Sequence, residues 1–253
     1  MTNAPQIAAT VPLPISTQRT PMMNFSRTAL LIALSGTVLT GTAQAATLSN
    51  GSFEQNFTGW NRTGNTSIQN ASSGINPVDG TNQALLTNAG AATGATGLED
   101  FFELTAGTLN GLGVFNGAGI SQSFTANAGD TLSLSWNFLT NEPPTTVTND
   151  FAFVVLNGVT TLADTNSSLL GASSSIFFDS DTGYQTFNFT FATSGIFTLG
   201  LGVANVGDAQ ILSGLLVDQV TVTPAAVPEP ATVLGTLALG GLALLKKGTR
   251  KQS

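Results

Sequence analysis

In several runs between Gly119 and Thr223 hydrophobic residues return at every second position, and that period limits what the chain can fold into. Leu132, Leu134, Trp136 and Phe138 alternate with Ser and Asn, which puts the large side chains on one face of a half-buried strand. Ala128-Gly129-Asp130 supplies the turn before it. Phe151, Phe153 and Val155 alternate next, and Asn157-Gly158 predicts a type I′ turn into a partner strand over Val159–Ala163. Phe187, Phe189 and Phe191 form a further alternating run, followed by strands over Gly195–Val203 and Leu215–Thr223. Upstream, Gln83–Thr87 is strand-like, 90–97 reads as an exposed loop of small residues, and Leu98–Leu104 is the one helix-like interruption. No fixed internal repeat is present. About nine or ten short strands without helical periodicity predict an all-β chain folded as a single jelly-roll-type β-sandwich.

Composition removes whole classes of chemistry. The 253 residues contain no cysteine and no histidine, so disulfides, thiol nucleophiles, Ser-His-Asp catalysis and imidazole-based zinc sites are excluded. Between Ala46 and Ala226 a single cation, Arg62, faces thirteen acids, a net charge of −12. A surface so charged repels phosphate backbones, which excludes nucleic acid as a partner. Carboxylate pairs are the one catalytic resource left. Asp179 with Asp181, and Glu99 and Asp100 with Glu103, read as solvated turns or a helix face, so no catalytic residue is assigned and no enzyme is expected.

The remaining cations sit at the two ends. After a Pro- and Thr-rich start, Met22 or Met23 begins a compact leader with Arg27, an apolar run over Ala29–Leu39 and the small-x-small box Ala43-Gln44-Ala45. Cleavage is expected before Ala46, after passage through the Sec translocon. At the other end Pro228, Glu229 and Pro230 precede 15 uncharged residues, Ala231–Leu245, and then Lys246, Lys247, Arg250 and Lys251. As a helix the run measures roughly 22 Å, short of the ~30 Å hydrocarbon core. A permanent tail anchor and a buried core helix are the competing readings. This three-part order resembles the PEP-CTERM sorting signal. The resemblance implies processing by an exosortase and delivery to the cell surface, outer envelope or extracellular matrix of a Gram-negative-type bacterium. It also implies an association with biofilm and exopolysaccharide. The expected organisation is 1–45 for the extension and signal peptide, 46–224 for the sandwich and 227–253 for the sorting segment with its hydrophobic helix.

The mature region opens with Asn50, Gly51, Phe53, Glu54, Gly59 and Trp60, an N-G-x-F-E…G-W pattern. It resembles the first strand of galactose-binding-like and related carbohydrate-binding jelly rolls, where the aromatics enter the core and the strand start helps hold a structural Ca²⁺. Asp218 shares the phase of Leu216, Val220 and Val222, so an unbroken strand would turn it inward, where a lone carboxylate needs a partner. First and last strands are neighbours in those jelly rolls, so Asn50, Glu54 and Asp218 are the candidate ligands for one structural Ca²⁺. The competing reading places Asp218 at a bulge or strand end in solvent. Trp136 is a core residue by phase, leaving Tyr184 and Trp60 as candidate aromatic contacts to a glycan. Glu142 and Asp150 flank a Pro143-Pro144 loop of the kind on which ligands bind. The leading expectation is a non-enzymatic surface or matrix protein, structural, adhesive or exopolysaccharide-associated. A carbohydrate-binding module comes second and a secreted hydrolase using a carboxylate pair third.

Overall fold

The computed structural model describes residues 48–90, 92–144 and 147–226, which form a two-sheet, all-antiparallel β-sandwich with one short helix. Thirteen strands are described: β1 (Asn61–Thr63), β2 (Asn65–Gln69), β3 (Gln83–Thr87), β4 (Thr93–Gly94), β5 (Val114–Ala126), β6 (Thr131–Thr140), β7 (Phe151–Val155), β8 (Val159–Asp164), β9 (Gly171–Ala172), β10 (Ser180–Asp181), β11 (Gln185–Thr190), β12 (Gly195–Val206) and β13 (Ser213–Thr223). The helix, α1, spans Ala95–Phe101. The first sheet runs β1-β5-β12-β7-β8 with β4 also on β5, and the second runs β2-β3-β13-β6-β10-β9 with β11 also on β6.

The period-two runs do what their spacing requires. Leu132, Leu134, Trp136 and Phe138 of β6, Leu199, Leu201 and Val203 of β12, and Leu215 and Val217 of β13 meet between the sheets in one buried cluster. Phe53 and Trp60 join it with ring centroids 5.3 Å apart, as the opening motif implies. Their segment is not a strand, however. Residues 48–60 form a string of turns, with Asn50, Phe53 and Asn56 at positive φ, and regular pairing begins only at Asn61. The segment still lies along the last strand, where the Val220 N–H donates to the Gly51 carbonyl at 2.9 Å.

Three further expectations need correction. The β7–β8 hairpin forms, but Val155 pairs with Val159 around a three-residue loop, and only Gly158 has positive φ, at +120°. A type I′ turn needs two such residues, so the turn is of the longer kind. The segment 90–97 is not a free loop, because it carries β4 and the first turn of α1. Finally, the inward phase of Asp218 fails, because β13 carries the bulge of the competing reading. A bulge with Gln219 at φ +52° shifts its register on β6 between Asp218 and Thr221. The extra residue reverses the facing. Val220 therefore points inward with Leu215 and Val217, while Asp218 stays with Leu216 on the outer face.

Both outer faces are covered. On the first sheet, Leu98 and Phe102 from the α1 region cluster with Leu109, Phe151 and Phe153. That packing needs a bed without side chains: a Cβ on Gly119 or Gly202 would come within 2.3 Å of the Phe102 or Phe153 ring. On the second sheet, Ile75 and Phe178, from two connecting loops, cover Leu85, Leu139 and Leu216.

Candidate functional site

The outer face of the second sheet carries an open groove of about 240 Å³ at its β2–β3 edge. Asn65, Ser67 and Gln69 alternate along β2 and so share a face, opposite Thr87, Leu85 and Gln83 of β3. Leu85, Thr87, Ala89, Leu212, Phe177 and Phe178 complete the lining. Phe178 is buried, whereas Phe177 is 47% exposed. Its backbone is held from both sides: the Asn141 carboxamide donates to the Phe177 carbonyl at 3.1 Å, and the Phe177 N–H donates to Ser175 Oγ at 3.1 Å. No charged side chain lines the groove. Its chemistry is neutral amide and hydroxyl beside a fixed aromatic ring.

The aromatics singled out from the sequence are elsewhere. Trp60 is a core residue whose Nε1–H donates to the Asn50 carbonyl at 3.2 Å. Tyr184 is half-buried against the Ile75–Phe178 cluster and donates its hydroxyl to Gln83 Oε1. Burial, and then the neighbouring Asp218 carboxylate, push its ionisation far above the usual phenol range. Neither ring is free to stack on a ligand. Phe177 was missed because it belongs to no alternating strand. The available signal was Ile176-Phe177-Phe178, three large apolar residues in a loop otherwise made of Ser and Asp.

Glu54 and Asp218 both hold the loop over 78–82, whereas Asn50 bonds within its own segment. Glu54 accepts from the Thr81 and Asn82 N–H groups at 2.8 and 2.7 Å and from the Thr81 hydroxyl, which lowers its pKa. Asp218, 0% exposed, accepts from the Val78, Asp79 and Gln219 N–H groups at 2.7–2.9 Å. Burial outweighs those bonds and holds its pKa above the usual value. Asn50 turns its carboxamide into its own loop, donating to the Asn56 and Thr58 carbonyls. Every side-chain oxygen of the three is met by an N–H or O–H donor, so the trio offers a cation no unmet oxygen. Among the described residues no group of three or more acids lies together as a metal cage.

Of the acids read as solvated, Glu99 is buried. It accepts from the Gly107, Leu109 and Asn110 N–H groups at 2.7–2.9 Å, which lowers its pKa and pins the loop after α1. Glu142 and Asp150 are buried as well, in a polar layer that closes one end of the core. Asp150 accepts from Asn88 Nδ2 at 2.8 Å and the Val206 N–H at 2.9 Å. Burial, and to a smaller extent the Glu142 charge, push its pKa up to about 6, against those bonds and one from the Ser213 hydroxyl. The cleavage residues Ala43, Ala45 and Ala46, the sorting residues Pro228, Glu229 and Pro230, and the cations Lys246, Lys247, Arg250 and Lys251 lie outside the described residues. So does the expected C-terminal helix. Among the described residues no helix is long and apolar enough to cross a membrane.

No family model and no curated protein matches the chain. Among solved structures it is similar to the carbohydrate-binding module TmCBM61 in complex with β-1,4-galactotriose, at 12% identity and a TM-score of 0.40 over 72% of this chain and 99% of that one. It is also similar to CBM28, a module specific for non-crystalline cellulose, at 9% identity and a TM-score of 0.36 over 72% and 98% of the two chains. A third is the enzymatically active domain of bacteriophage CBA120 tailspike protein 4, at 12% identity and a TM-score of 0.34 over 70% of this chain and 21% of that one. At these values neither ligand nor activity passes from them to this chain.

Proposed function

We propose that the protein is an exported, non-catalytic β-sandwich of the cell envelope or extracellular matrix that holds a neutral polysaccharide in the groove on its second sheet. The observation that carries this reading is the lining of that groove. Asn65, Ser67, Gln69 and Thr87 offer donors and acceptors without charge, and exposed Phe177 offers an apolar ring face. Sugar rings present that combination in reverse, with hydroxyls at the rim and C–H groups on the faces. At about 240 Å³ the groove lies below the ~300–1,000 Å³ of sites that enclose a small molecule, and it suits a polymer crossing the sheet. The thirteen acids of the mature region disfavour polyanionic chains, which narrows the partner to neutral glycans.

Export and sorting rest on the leader and on the Pro-Glu-Pro tail, and the exosortase and the Sec translocon enter as partners on that ground. The absence of catalysis rests on chemistry: histidine and cysteine are absent, and the facing carboxylates Glu142 and Asp150 are buried away from the groove lining. Affinity electrophoresis of the mature protein through gels containing neutral polysaccharides tests the reading. At least one glycan should retard it, and Phe177→Ala should weaken that retardation about tenfold without lowering thermal stability. If no neutral glycan retards the protein, or if Phe177→Ala is retarded as strongly as the wild type, the groove is not a binding site.

A further inference from the structure

The polar layer at one end of the core holds buried oxygens that no donor meets. Its members stand in register. Asn116 of β5 pairs with Asn205 of β12, and Asp150 is the next residue across, since Ala204 pairs with Phe151. In the other sheet Ser213 pairs with Thr140, and Asn88 donates its carboxamide to Asp150. Following the alternation of their strands, all six turn toward the space between the sheets. Glu142 closes the layer from the loop after β6, its N–H donating to Thr140 Oγ1 at 2.9 Å.

Most of the donors around the two acids already have acceptors, the Ser213 hydroxyl among them, since it also bonds the Asp150 carboxylate. The Asn88 carboxamide serves Asp150 and the Ile211 carbonyl, the Ser213 N–H serves Asn88 Oδ1, and the Ser213 and Thr140 hydroxyls bond each other at 2.8 Å. The Thr148 hydroxyl serves Glu142 Oε1. Three buried oxygens are left with no partner: Glu142 Oε2, Asn205 Oδ1 and Asn116 Oδ1. Glu142 is 6% and Asn205 1% exposed. An unmet buried acceptor costs about 1–3 kcal/mol, and two facing carboxylates without a cation cost more. Arg62, the one cation in the described region, lies over the Phe57 ring.

We propose that this layer binds a calcium ion, with Glu142 and Asp150 supplying the charge and the carboxamide oxygens of Asn116 and Asn205 adding to the shell. Oxygen-only ligation by carboxylates and carboxamides is calcium chemistry, with waters completing the count of six to eight. Half-buried Asn116 marks the side from which water reaches the layer. The upward shift of Asp150 fits the same picture, being the response of a carboxylate that has lost water and gained too little in exchange. This layer is separate from the loop around Glu54 and Asp218. Ser213 and Asp218 lie five residues, roughly 17 Å, apart on β13 and face opposite sides of the sheet.

Full-length protein in mild detergent, stripped with EDTA and titrated with Ca²⁺ alone, provides the test. Calorimetry should show one strong site, and the melting temperature should rise by about 5–10 °C at calcium 100-fold above Kd. Glu142→Gln should bind at least about tenfold more weakly, while the double variant Glu54→Gln with Asp218→Asn should bind as the wild type does. Asn205→Asp keeps the test open if Glu142→Gln folds poorly. It adds a third carboxylate, so it should melt below the wild type in EDTA and gain more than the wild type from calcium. No heat and no melting shift at 10 mM Ca²⁺ would overturn the proposal. So would binding unchanged in Glu142→Gln, or binding lost in the Glu54/Asp218 variant instead.

Discussion

At the scale of single residues, carboxylates act here as clamps on the backbone. With one cation in the mature region the acids cannot be paired by charge, and the structure meets them with N–H groups instead. Glu54 holds the loop at Thr81–Asn82, Glu99 the loop at 107–110, and Asp130 the Asn127 and Ala225 N–H groups. All three are held below the usual carboxylate range by these bonds. At pH values above that range each is ionised in the folded and the unfolded chain alike, and its bonds contribute in full. As the pH falls, the unfolded chain takes up protons first, and stability is lost until the lowered folded values have been passed. Asp218 works with the opposite sign, because burial raises it and acid relieves its cost. Urea unfolding followed from pH 6 to pH 3 should therefore show a shallower loss of stability in Glu99→Gln than in the wild type. Equal slopes would mean that Glu99 is not a clamp. These clamps were hard to read in advance, because a carboxylate bound to backbone N–H groups leaves no partner residue in the sequence. Asp218 shows the limit most clearly: a bulge there is one of the two readings the sequence offers, but the burial of its carboxylate under the Val78–Asp79 loop is not legible.

At the scale of elements, the strands with large alternating side chains were legible and the covers over the sheets were not. β6, β7, β12 and β13 lie within a few residues of their expected positions, since burial of one face leaves a period-two segment little choice of structure. The α1 region was visible only as Leu98–Leu104, a helix-like string of uncertain use. What it packs on is a set of glycines whose lack of side chain carries no hydrophobic signal. Gly119 and Gly200 come from strands far apart in sequence, and both lie under Phe102. The same reasoning explains the groove: its polar lining belongs to the edge strand β2, and its ring comes from a loop that no period describes. If the cover is anchored as the contacts indicate, Phe102→Ala should cost about 3–5 kcal/mol, read as a fall of the chemical-denaturation midpoint at unchanged slope. A cost under about 1 kcal/mol would mean that α1 only rests on the sheet.

At the scale of the molecule, the two ends of the sandwich differ in character. Asp130, at the start of β6, holds the Ala225 N–H at 2.9 Å, so the chain leaves toward Pro228 at that end. β6 then runs ten residues, roughly 30 Å, to Thr140 in the polar layer. The groove residues Thr87, Ala89 and Leu212 flank Asn88 and Ser213 of that layer, so part of the groove sits at the far end as well. The last described residues and part of the groove thus lie at opposite ends of the sandwich, so the proposed sorting and the proposed glycan binding would engage different ends of it. This separation makes the tail testable by itself. Replacing Pro228, Glu229 and Pro230 with alanines should leave an unprocessed precursor in the inner membrane, since the rigid turn before the apolar run is lost. The same variant should melt as the wild type does and keep its glycan retardation, because Asp130 fixes the sandwich upstream of the change. Fractionation with an antibody against the sandwich reads the first outcome. Maturation and localisation identical to the wild type would show that the Pro-Glu-Pro turn does not direct sorting. Lost retardation in a correctly folded precursor would show that tail and groove are coupled through the sandwich, against the separation argued here.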